Sequence, residues 1–334
     1  AKINHLFNAE EDLVMARFHY MFKHWWMRGL KEERCIVADS TNSAVKKFKT
    51  KLNMTSDEKW FDCGDVGILF YAVGFSEKNV VRELLENLQS EFKGEEYTRR
   101  LESRVREVGY VALGIPGCST ALMSAAMLAS TEIVCMLLES GTDVTSLDIM
   151  GNDAFMLASV FGRYENIKCF LERVKDWDIN RIDAVFGSTA LSKAVFMGAN
   201  KLETVKVLLN AGARIDFQTW SGGTVLTGAL ENEDSDPEVV RLLLEKWKSS
   251  SDSKSFISLV NYQRKSTTFK WKSIYFIAKA LYRTGVSESG LMASLAIDAG
   301  TTPLNLAVVR GDVEIVKLVL EAGADPYVEN DLGM

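Results

Sequence analysis

Residues 301–326, "TTPLNLAVVRGDVEIVKLVLEAGADP", limit what this chain can fold into more than any other stretch. Thr302 can cap a helix through its hydroxyl, and Pro303 suits a first turn that needs no backbone donor. Leu304, Ala307 and Val308 then fall on one face, and Gly311 can end the helix in a left-handed conformation. Val313, Val316 and Leu320, joined by Ile315 and Val319, mark the face of a second helix that Gly323 ends. Neither short helix can bury its apolar side alone, so the unit requires copies of itself alongside. The copies are present. "GCSTALMSAAMLASTEIVCMLLESGTDV" (117–144) aligns without a gap, and in "GNDAFMLASVFGRYENIKCFL" (151–171) Asp153 stands 33 residues after Thr120. "GSTALSKAVFMGANKLETVKVLLNAGARID" (187–216) and "GGTVLTGALENEDSDPEVVRLLLEKW" (222–247) repeat it with two-residue insertions, and "VGILFYAVGFSEKNVVRELLENL" (66–88) is a weaker copy.

This order of Thr, Leu, Ala and Gly resembles the ankyrin-repeat family, whose period is 33 residues and whose signature is T-P-L-H-x-A. The resemblance covers about residues 64–334, although Asn305 stands where the family usually has His. It implies an all-α ankyrin-repeat solenoid of six to seven helix-turn-helix repeats with short β-hairpin fingers. Residues 63–334 are then the solenoid, with insertions at 89–109 and 248–272 and a degenerate repeat at about 273–300, where Ala278 takes the small-residue position. Acid–base pairs Glu95–Arg99, Glu96–Arg100 and Glu102–Arg106 predict an exposed helix in the first insertion. Residues 1–62 show no repeat. The helical period of "EEDLVMARFHYMFKHWWMRGL" predicts an N-terminal helical cap over the first repeat.

Catalytic chemistry finds little to stand on. The three histidines all precede residue 25, and no nucleophile elbow, Walker loop or metalloprotease motif occurs. "DWDINRID" (176–183) offers Arg181 and Gly187 where a calcium loop needs Gly and Glu, and it coincides with the start of a finger. No cofactor is expected, and the chain reads as non-enzymatic. Five cysteines without CxxC spacing favour a reducing, cytoplasmic setting over a disulfide framework. The longest apolar run, residues 66–75, is half of a membrane span.

What remains is binding. In ankyrin repeats, finger tips and the ends of the first helices usually contact partners. By that resemblance the concave positions are Phe75, Met127, Leu128, Val160, Phe161, Phe196 and Met197, continuing as Glu231 and then Val309 and Arg310. The finger positions are Ile149, Met150, Val185, Phe186 and Trp220. Most are apolar where solvent-facing residues would be polar, which predicts a surface for a protein partner. A second expectation is an acidic protein or anionic lipid surface. Between Ser253 and Ser287 there is no Asp or Glu, while Arg264, Lys265, Lys270, Lys272, Lys279 and Arg283 alternate with aromatics. The net charge of −6 argues against nucleic acid. A third expectation is a regulatory segment of a larger enzyme or channel chain, since "ENDLGM" (329–334) looks like the beginning of another finger.

Overall fold

A computed structural model of the chain describes residues 68–74, 76–102, 118–198, 201–231, 235–284 and 290–333. The proposed cap, 1–62, lies outside the described residues. The chain divides into two compact units, residues 1–158 with 165–177, and residues 159–164 with 178–334. All regular structure described is helical. Among the described residues one isolated β-bridge occurs, Gln218 with Thr224, so no finger described there is an extended β-hairpin.

In the first unit α1 (Ile68–Gly74) packs on α2 (Lys78–Glu91) and on α4 (Ala121–Leu128), while α2 packs on α3 (Gly94–Leu101) and α5 (Thr131–Glu139). The α3 helix is the predicted exposed extension, with altered pairing. Glu96 meets both Arg99 and Arg100, whose hydrogen bonds lower its pKa to about 2; Glu102 accepts from the Asp143 N–H at 2.8 Å, and Arg106 lies outside the described residues. Helices α6 (Ala154–Val160) and α7 (Tyr164–Arg173) follow. Phe155, Phe170 and Trp177 cluster there, with Phe170–Trp177 edge-to-face at 4.9 Å. Adjacent second helices are tied by Arg173–Glu139 at 3.2 Å and by a disulfide, Cys135–Cys169, with Cα atoms 6.4 Å apart. Spacing along the chain could not show that pair, because the cysteines face each other only once two repeats stack.

The second unit contains α8 (Ala190–Met197), α9 (Lys201–Asn210), α10 (Val225–Glu231), α11 (Pro237–Ser250), α12 (Ser253–Val260), α13 (Phe269–Thr284), α14 (Gly290–Asp298), α15 (Pro303–Arg310) and α16 (Val313–Glu321). Hydroxyl caps begin the first helices: Thr189 accepts from the Ser192 N–H at 3.2 Å, and Thr302 from the Asn305 N–H at 3.1 Å. Asn305 returns the bond, its Oδ1 accepting from the Thr302 N–H at 3.0 Å, so it closes a reciprocal capping box. Gly311 ends α15 at φ 75°, as expected.

Two sequence expectations are corrected here. Helix α10 packs directly on α15, and α11 packs on α16, where Arg241 and Glu314 pair at 3.1 Å. The fifth copy therefore stacks on the last one, and 273–300 is not a layer between them. Residues 269–298 instead form a helical hairpin, α13 against α14. On α16 the buried face is Ile315 and Val319, whereas Val313 is 66% exposed; on α15, Leu304 and Ala307 are buried and Val308 is exposed. Val309 of α15 and Leu320 of α16 are exposed as well.

Candidate interaction surface

Each finger closes through one recurrent backbone bond. The Asp148 N–H donates to Asn152 O at 2.9 Å, Asp183 to Ser188 O at 3.0 Å, and Thr219 to Gly223 O at 2.9 Å. The next member of the series is Arg264, whose N–H donates to Thr301 O at 2.9 Å. Residues 265–300 thus occupy the place that 149–151 occupy in the short finger. A second marker agrees. The Asn180 side chain accepts from the backbone N–H of Arg214 at 2.8 Å, and Asn261 accepts from that of Asp325 at 2.6 Å. Asn261 opens its finger as Asn180 does, and the α13–α14 hairpin is an enlarged fingertip.

Buried charge holds the finger bases, with opposite sign in the two cases. Asp183 accepts from the backbone N–H groups of Val185 (2.7 Å), Phe186 (2.6 Å) and Ser188 (2.9 Å), and pairs with Lys193 of α8 at 3.1 Å. Both residues are buried. At the enlarged fingertip the buried residue is Arg264. It pairs with Glu231, at the end of α10, and with Asp298, at the end of α14, 3.4 Å away. Burial raises the Asp298 pKa above the ordinary carboxylate value, while Arg264 and Arg310 oppose that shift. Burial likewise pushes the Tyr275 hydroxyl up.

The fingers of the second unit form a row. Trp220 N–H donates to Phe186 O at 2.9 Å, Thr267 N–H to Trp220 O at 3.1 Å, and Asp331 N–H to Ala299 O at 3.1 Å. The Trp220 ring lies over Gly187, where an added Cβ would overlap it. Phe186 meets Trp271 of α13 at 6.3 Å, and Trp271 meets Tyr275 at 6.1 Å. Gly222, at φ 88°, lies so close to the Lys265 carbonyl that no side chain fits there.

The sequence-selected residues fall into three groups. Met127 and Met150 are buried in the first unit, where Leu128 and Ile149 are half-buried. Met127 serves packing there, because helix α4 is buried on nearly every side. In the second unit Val160, Phe161, Val185, Phe186, Phe196, Met197 and Trp220 are half-buried, and Val309 is 72% exposed. Phe75 lies outside the described residues. Of the basic set, Arg264 is an internal ion-pair centre rather than an available cation. Lys279 pairs with Asp331 at 2.6 Å, and Arg283 donates to the Asp331 carbonyl at 3.0 Å. Lys265, Lys270 and Lys272 are exposed and make no ion pair among the described residues. Sequence reasoning missed Phe269 and Phe276 as surface groups, for they are 84% and 71% exposed on α13. Their seven-residue spacing, offset from buried Trp271, Tyr275 and Ala278, is the signal that identifies them.

The family description "Ankyrin repeats (3 copies)" matches residues 155–255, and "Ankyrin repeat" matches 118–149 and 299–331. The chain belongs to the ankyrin-repeat family. The ankyrin matches leave 256–298 aside, the span that holds most of the enlarged fingertip. The Gallus gallus nuclear factor NF-kappa-B p105 subunit is 29% identical over 212 residues, covering 63% of this chain and 17% of that protein. The Rattus norvegicus ankyrin repeat and SAM domain-containing protein 6 is 40% identical over 93 residues, covering 28% of this chain and 10% of that protein. This chain therefore spans under a fifth of either relative. The crystal structure of the ankyrin repeat domain of Bcl-3, a member of the IkappaB protein family, superposes with a TM-score of 0.52 at 22% identity, over 80% of this chain and 90% of that domain. That likeness establishes the ankyrin-repeat solenoid as the fold class. Ankyrin repeats generally mediate protein–protein interaction. Among the described residues no helix is long and apolar enough to cross a membrane.

Proposed function

We propose that this ankyrin-repeat chain is a non-catalytic scaffold or adaptor that captures a protein partner with its fingers and the ends of its first helices. The observation that carries the reading is the hydrogen-bonded finger row from Phe186 through Trp220 to Thr267. A row fixed by backbone bonds and buried ion pairs is ordered before a partner arrives, so little conformational entropy is lost on binding. Val185 and Trp220 on that row, with Phe161 and Val309 at first-helix ends, supply apolar contacts in the same unit.

The test is quantitative affinity capture with the wild type and a Val185→Asp/Val309→Asp variant. The expected result is loss of the captured partner at unchanged thermal midpoint; equal capture by both proteins contradicts the reading. A cytoplasmic setting belongs to the same proposal and is supported by the odd cysteine count without CxxC spacing, while the Cys135–Cys169 bridge argues against it. Membership in a larger regulatory chain is a second reading, favoured by the much greater length of both relatives.

A further inference from the structure

Helix α13 carries apolar residues on two faces. One carries Trp271, Tyr275 and Ala278 and is buried. The other carries Phe269 and Phe276, seven residues apart and therefore about 10 Å apart along one stripe, with Ile277 beside them. All three are exposed, and Lys270 and Lys272 flank the stripe on opposite sides. Lys265 precedes it. No carboxylate lies between Ser253 and Ser287 in sequence, and with Arg264 and Lys279 already paired it is Lys265, Lys270 and Lys272 that put positive charge beside the stripe.

We infer that this outward face of α13 is a docking surface for an acidic amphipathic helix of a protein partner. The inference rests on the reading of the chain as a protein-binding module. Spacing and charge select the occupant. Two aromatic anchors two turns apart match a helix that presents apolar side chains at i, i+3 or i+4, and i+7. The flanking lysines match acidic residues on both edges of that helix. An anionic bilayer fits less well, because Asp331 engages Lys279 and Arg283 and leaves three unpaired lysines. A leaflet strengthens binding about fivefold per cation, and headgroup recognition takes clusters of about four to eight.

The test selects a displayed library of random 16-residue peptides on the full chain, with counter-selection on Phe269→Asp/Phe276→Asp. Enriched peptides should carry Leu or Phe at helical spacing with flanking Asp or Glu. Their affinity should fall about 30-fold on the Phe variant. A second variant, Lys270→Glu/Lys272→Glu, should slow association about tenfold at low salt and guards against a folding artefact. Vesicles containing 30% phosphatidylserine form the other arm. Absence of acidic enrichment, peptides indifferent to both variants, or vesicle binding lost in the Phe variant would each overturn the inference. Peptide binding should persist in Val185→Asp/Val309→Asp, so failure of finger-row capture and failure of this docking surface are separable.

Discussion

The Asp183 finger and the Arg264 finger begin from one backbone design and end as different objects. Each closes through a backbone bond to the residue just before a capping Thr, and each buries a charge at its base. The first then turns within a few residues, and the second extends into the α13–α14 hairpin. The contrast teaches that the base, and not the tip, is what the stack constrains. Once Arg264, Glu231 and Asp298 fix the two ends, the segment between them is free to carry a second surface. The sign reversal follows from location: the Asp183 carboxylate collects backbone donors in a tight turn, whereas Arg264 faces the carboxylates that end α10 and α14.

The largest expected effect breaks the comparison at its common element. Asp183→Ala leaves Lys193 buried without a partner, and Arg264→Met takes the buried cation away from half-buried Glu231 and Asp298. Each should cost about 3–5 kcal/mol in chemical denaturation. A loss below 1 kcal/mol for Arg264→Met alone would mean that only the short finger depends on its buried charge. Reduction of Cys135–Cys169, separated by 34 residues, should cost roughly 4 kcal/mol by opening a loop in the first unit. The midpoint with and without reductant measures it. Thr302→Ala removes one side of the capping box and should cost about 1 kcal/mol.

The smallest effect is a pH dependence. Because burial raises the Asp298 pKa, the native state holds that proton more tightly than the unfolded chain does. Through this group, stability is greatest below the ordinary carboxylate pKa and falls as pH rises through the raised native value. Asp298→Asn should flatten that slope above the ordinary carboxylate pKa; an unchanged slope would assign it to other groups.

Most of the stack was legible in the sequence because its causes are local. The Thr302 cap, the small buried Ala307 and the left-handed Gly311 follow from turn chemistry and period, and all appear as expected. The enlarged fingertip was misread for a physical reason. A helix that packs on one neighbour has the same 3.6-residue period whether it lies inside the stack or projects from it, so Ala278 is buried in either case. Only non-local bonds, Arg264 to Thr301 and Arg241 to Glu314, distinguish the two topologies. Likewise, position within a repeat could not separate buried Met127 and Met150 from exposed Val309.

Cross-linking tests the central claim most directly. Arg241 and Glu314 pair across adjacent second helices at 3.1 Å, so an Arg241→Cys/Glu314→Cys variant on a Cys-depleted background should react rapidly and intramolecularly with a short bis-maleimide. Were 273–300 a repeat layer, another helix would separate the two positions by about 16–20 Å, twice the usual interaxial distance. Quantitative cross-linking at low protein concentration is the predicted result; no intramolecular product would contradict the direct stacking of the fifth copy on the last.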